Sequence, residues 1–121
     1  MDEISFPATA WNNGARHRSG AGYGLKISSE DRDRYFDRDW NTVTLRLVGE
    51  RTSRVAEANV AKSSFWDGTC RELIAAEIGR WFIENGFARW TLGMPPRFRM
   101  RPLAQHELDV AGTRRITPGV L

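Results

Sequence analysis

The chain has 121 residues, one cysteine and a formal net charge of +3, with 40% hydrophobic and 27% charged side chains. This is the composition of an ordinary globular domain. A single cysteine excludes a disulfide within the chain, and no run approaches the roughly 20 apolar residues of a membrane-spanning helix.

The opening MDEISFPATA is acidic and does not read as a secretory signal, so a cytoplasmic protein is expected. Pro7, Asn12-Asn13-Gly14 and Ser19-Gly20-Ala21-Gly22 are turn signals. PATAW, ending at Trp11, and YGLKIS, from Tyr23 to Ser28, predict two strands joined by a long, basic, glycine-rich loop. Ser29–Phe36 predicts a short helix: Ser29 caps it, acids fill the first turn and arginines follow. Asn41–Val48 is the clearest strand, with Val43, Leu45 and Leu47 on one face and Thr42, Thr44 and Arg46 on the other. Ser53–Val60 returns as the second arm of a hairpin, with Ala56, Ala58 and Val60 on one side.

Ser64–Phe87 predicts one long helix. Thr69 and Glu72 have the spacing of a capping box. Asn85-Gly86 supplies a left-handed end, with Phe87 folding back onto Phe82. Cys70, Leu73, Ile74, Ile78, Trp81 and Phe82 recur at helical spacing as one apolar face, where Cys70 reads as a buried, inert thiol. Glu77, Arg80 and Glu84 lie at ion-pairing offsets beside that face. After a loop to Pro96, Arg97–Arg101 alternates strictly, so Phe98 and Met100 point inward and three arginines outward. Pro102 marks a strand end or edge. Gln105–Val110 predicts a last strand with His106, Leu108 and Val110 on one face, and 111–121 a mobile tail. The expected fold is α+β: one domain over residues 1–110, an antiparallel β-sheet of about four to six strands packed against one long helix, plus one short helix.

The charge is unevenly placed. Residues 87–121 carry six basic and two acidic side chains, and no acid lies between Ile4 and Ser29. Sixteen of the eighteen basic residues are arginine, whose planar fork suits phosphate and base stacking, although a GC-rich coding sequence gives the same bias. Two candidate zones follow. In WNNGARHRSGAGYGLK, glycine-rich backbone can present N–H groups to an anion. Here Asn12 and Asn13 can hydrogen-bond, Arg16, His17, Arg18 and Lys26 can meet phosphate, and Trp11 and Tyr23 can stack on a base. The same stretch also reads as a hairpin loop whose aromatics fill the core. The glycines match neither a dinucleotide fingerprint nor a Walker loop. The second zone is Arg97, Arg99 and Arg101, spaced roughly 6.5–7 Å apart on one face; an arginine-bearing edge strand equally discourages unwanted sheet pairing.

The leading expectation is a small nucleic-acid- or anion-binding module, without cofactor or metal, using an arginine and aromatic face formed where both zones meet. The alternatives are an interaction or homodimerisation domain presenting Trp40, Trp66 or Trp90, and a metal-dependent hydrolase drawing on His17, His106 and the carboxylates of Asp31–Asp39. The segments WNNG, HRSGAGYGLKI, DRDRYF, FWDGTCREL and PPRF resemble those of small uncharacterised bacterial proteins, some carried on mobile elements. The resemblance implies a bacterial, cytosolic, single-domain product and assigns chemistry to no residue.

Overall fold

The computed structural model describes residues 4–15, 17–68 and 71–112. In chain order these form β1 (Phe6–Asn12), β2 (Tyr23–Lys26), α1 (Ser29–Tyr35), β3 (Thr42–Val48), β4 (Arg54–Asn59), α2 (Ser63–Trp66), β5 (Glu72–Ile74), α3 (Ala76–Asn85), β6 (Arg97–Ala104) and β7 (Glu107–Gly112). All the strands join one sheet in the order β4-β3-β7-β6-β1-β2-β5. The outermost strands, β4 and β5, return into contact, and α3 lies against β4 and β2 beside that seam. The sheet is thereby nearly closed into a barrel.

This corrects the expected α+β architecture. Among the described residues there are seven strands rather than four to six, the β3–β7 pair is parallel, and the longest helix has 10 residues. The expected long helix over Ser64–Phe87 is three elements: α2, β5 and α3. The break has a physical cause. Without β5, β2 would leave its backbone groups open on one side; Glu72–Ile74 pairs with it antiparallel, setting Leu73 opposite Leu25 inside the barrel. Ile74 consequently faces outward and is exposed, although helical spacing put it in the core. Three residues are too few to show whether a period is 2 or 3.6. Thr69 of the expected capping box and Cys70 lie outside the described residues. The far end of α3 closes as its sequence predicts: Gly86 is left-handed at φ 80°, and the Phe87 N–H donates to the Phe82 carbonyl at 2.7 Å.

The other elements follow their local patterns. β1 and β2 form the expected hairpin, as do β3 and β4. Ser28, one residue before the expected cap, accepts the Asp31 N–H at 3.1 Å and starts α1. β7 runs to Gly112, so 111–112 belong to the sheet; residues 113–121 of the expected tail lie outside the described residues. His106 has φ 62° in the turn before β7 and does not join its buried face.

Alternate residues of the strands fill the interior, among them Phe6, Leu25, Leu45, Leu73, Phe98 and Val110. Small alanines at 56 and 58 leave space on β4 where α3 approaches. Phe82 stacks on Phe98 with ring centroids 5.4 Å apart, and Trp81 and Phe87 complete that group. A second group joins Phe6 to Tyr35 of α1, and Phe36 to Trp40 and Phe65. Each large side chain so buried stabilises the fold by roughly 1.5–3 kcal/mol. Among the described residues, no helix is long and apolar enough to cross a membrane.

Candidate polyanion interface

The strand register decides which charges meet. On the outer face of β1, Thr9 is paired with Lys26 on one side and with Arg97 on the other. Adjacent strands run about 4.8 Å apart, so Lys26 and Arg97 stand roughly 10 Å apart across Thr9. Pro7 is paired with Arg99, and Trp11 with Gly24. Trp11, Lys26, Arg97 and Arg99 therefore share one surface, although they come from both ends of the chain. Lys26, Arg97 and Arg99 are exposed and Trp11 is half-buried. Arg99 donates to the Ser5 hydroxyl at 2.9 Å.

The rest of the arginine stripe is differently engaged. Arg101 donates to Asp109 on β7 at 2.7 Å, and Arg46 on β3 donates to Glu107 at 2.6 Å. The hydrogen bond to Glu107 raises the Arg46 pKa above its ordinary value. Arg46 and Arg101 are thus ion-paired to β7, while the outer face of β1, β2 and the start of β6 carries Lys26, Arg97 and Arg99. Glu72 borders this stretch: it lies opposite Lys26, only 7% exposed, with its Oε2 atom lacking a hydrogen-bond partner.

The glycine-rich loop between β1 and β2 has a packing role. Five of its backbone N–H groups are engaged internally. Asn12 Oδ1 accepts the Gly14 N–H and Asn13 Oδ1 accepts the Ala15 N–H, each at 2.9 Å. The Asn13 N–H donates to the Gly22 carbonyl, the Gly20 N–H to the His17 carbonyl, and the Ala21 N–H to the Ser19 hydroxyl. The loop docks on α3, where a Cβ on Gly79 would stand 2.5 Å from the Gly20 Cα. Arg80 secures the crossing by donating to the Ser19 carbonyl at 2.9 Å.

The expected site residues therefore separate. Trp11, Lys26, Arg97 and Arg99 are brought together. Asn12 and Asn13 shape the loop. His17 and Arg18 are exposed on it, and Arg16 lies outside the described residues. Arg101 belongs to an ion pair. Tyr23 is 3% exposed and packs edge-on against Phe82, so it cannot meet a ligand. Trp40, Trp66 and Trp90 are partly buried and pack against the core. Among the described residues, no group of three or more His, Cys, Asp and Glu side chains gathers to hold a metal ion.

Two features escaped the sequence. Arg54 on β4 grips α3 through Glu84 at 2.6 Å and Glu77 at 2.7 Å, and Arg80 also pairs with Glu77. Nothing in the helical spacing of Glu77, Arg80 and Glu84 announces a partner on β4. The second is the seat of Trp11 on Gly24, for which an isolated glycine inside a predicted strand is the available signal. Beyond Arg97 the basic surface runs into a cleft of about 680 Å³ between the β3–β4 turn and the loop before β6, with Arg51, Phe87 and Met94 in its walls. Comparison of the chain with protein-family models, curated proteins and solved structures finds no match, so the reading of this surface rests on its own geometry.

Proposed function

We propose that the protein is a small polyanion-binding module, with nucleic acid as the favoured ligand class, and that it binds through the outer face of β1, β2 and β6. The observation that carries this is the register that puts Lys26 and Arg97 on either side of Thr9. Arg99 and Trp11 adjoin them on the same face. Lys26 and the two arginines meet phosphates, and the cytoplasm is the compartment this proposal assigns.

Salt tests the reading. Three phosphate contacts to a single strand give a slope of about −2 in log affinity against log salt. Binding of a mixed-sequence oligonucleotide therefore weakens about 20-fold between 50 and 200 mM salt. In the double variant Lys26→Gln/Arg99→Gln the slope falls to roughly −0.7. Salt-independent binding, or a slope unmoved in that variant, refutes the assignment.

A second reading, an apolar contact with a protein partner or a second copy, is favoured by one observation. Leu92 is 97% exposed and Met94 64% exposed in the loop before β6. Association through this tip is insensitive to salt and concentration-dependent in light scattering, which separates it from the first reading.

A further inference from the structure

We infer that the ligand is single-stranded nucleic acid, and that Trp11 seated on Gly24 forms a platform for one unstacked base. The inference rests on the polyanion reading and narrows its ligand class. Among the chain's five tryptophans, Trp81 is in the core, and Trp40, Trp66 and Trp90 pack against it. Trp11 is not in that cluster and, among the described residues, makes no ring-to-ring or cation contact. It is half-buried all the same, because it covers the strand beside it. A Cβ on Gly24 would stand 3.3 Å from Trp11 Cε3, 3.2 Å from Ile74 Cγ1 and 2.7 Å from the Leu73 carbonyl oxygen. Glycine at this strand position lets the indole lie close over the neighbouring backbone. The indole is thus set against β2 at Cε3, and Trp11 keeps part of its surface exposed.

Stacking on such a ring needs a base with an open face. A duplex offers phosphates but keeps its bases stacked on each other, whereas a single strand can turn a base out. The cations are placed for the backbone of that strand. Lys26 and Arg97 flank Thr9, two residues along β1 from Trp11, and Arg99 is the next outward residue of β6. Alternate residues along a strand lie roughly 6.5–7 Å apart, comparable to the separation of neighbouring phosphates in an extended single strand. Base and backbone contacts thus fall within one short stretch of sheet. Glu72, buried beside Lys26, sets the border on the β5 side.

The test uses the full chain and three fluorescently labelled probes of equal length: oligo-dT, oligo-rU, and an abasic oligomer with the same phosphate backbone. Anisotropy at low salt measures each affinity. The expected result is that a base-bearing probe binds on the order of tenfold more tightly than the abasic one. Trp11→Ala should abolish that difference while leaving abasic binding unchanged, and Trp11→Tyr should restore most of it. A preference for dT or rU reports the sugar and the thymine methyl together, and either satisfies the inference. Equal binding of base-bearing and abasic probes by the wild type overturns base stacking and leaves the polyanion reading standing. Loss of affinity for every probe alike in Trp11→Ala, with circular dichroism unchanged, also overturns it. Absence of binding to every probe at low salt overturns both readings.

Discussion

Gly79→Ala sets two sizeable effects against each other. Gly79 is inside α3, and replacing a helix-interior glycine with alanine ordinarily stabilises a helix by about 1 kcal/mol. Here the added methyl meets the β1–β2 loop. It would lie 2.5 Å from the Gly20 Cα and 2.6 Å from its carbonyl carbon, and closer still to the carbonyl oxygen. These are backbone atoms, so no side-chain rotation relieves the contact. Retreat of the loop is resisted by the Arg80–Ser19 hydrogen bond and by the turn bonds around Gly20. Gly20 cannot easily rearrange either: it has φ 91°, and its own missing Cβ would meet the Arg80 nitrogen at 2.8 Å. Overpacking of this kind costs typically 1–3 kcal/mol, and contact with backbone on both sides argues for the upper part of that range. The clash therefore wins, and Gly79→Ala should destabilise the domain by about 1–2 kcal/mol. Urea unfolding with an unchanged m-value reads this directly. Thermal melting should show a fall of roughly 4–8 °C for a domain of this size. A variant more stable than wild type would mean that helix propensity dominates and that loop and helix do not cross at these two glycines.

Two further perturbations examine the seam and the core. Hydrogen bonds from Arg54, then from Thr52, lower the Glu84 pKa from 4.5 to about 2. A carboxylate with a depressed folded-state pKa contributes stability that is present above pH 4.5 and lost as pH falls toward 2; Glu84→Gln should flatten the acid side of the melting temperature–pH curve in that window, and an unchanged acid limb would show that the Arg54 clasp carries none of it. Trp81 is fully buried, yet its Nε1 has no hydrogen-bond partner. Trp81→Ala should cost about 3–5 kcal/mol by opening a cavity beside Phe98. In Trp81→Phe, removal of the unpaired N–H offsets part of the lost volume, and the cost should stay below that of alanine by about 2 kcal/mol; equal costs in chemical denaturation would mean the indole nitrogen finds a partner.

Local signals identified local structure. Strict alternation at Val43–Leu47 and Arg97–Arg101 gave strands with the expected inward faces, and Asn85-Gly86 gave the correct end of α3. The failure at Glu72–Ile74 came from a requirement no local pattern contains. Those residues are a strand because β2, far back in the chain, needs a partner on its open side. The packing of the glycine-rich loop on α3 was hidden for a related reason. Glycine supports both anion binding and close backbone packing, and the choice depends on Gly79, whose position opposite Gly20 exists only after folding.

The same dependence on strand order decides the electrostatics. As sequence, Arg97, Arg99 and Arg101 are equivalent members of one stripe. In the sheet, β6 lies between β7, which carries Asp109, and β1, whose outer face in the paired stretch has Pro7 and Thr9 and no acid. Arg101 extends beyond the paired segment of β1 and is matched with Asp109; Arg97 and Arg99 are matched with Thr9 and Pro7. Lys26 joins them only because β1 separates β2 from β6 by a single strand. A different order with the same strands would have set other residues beside the stripe. The basic surface is therefore a property of the sheet topology, and a charge reversal at Lys26 should weaken polyanion binding in the same direction as one at Arg99, although β1 lies between them.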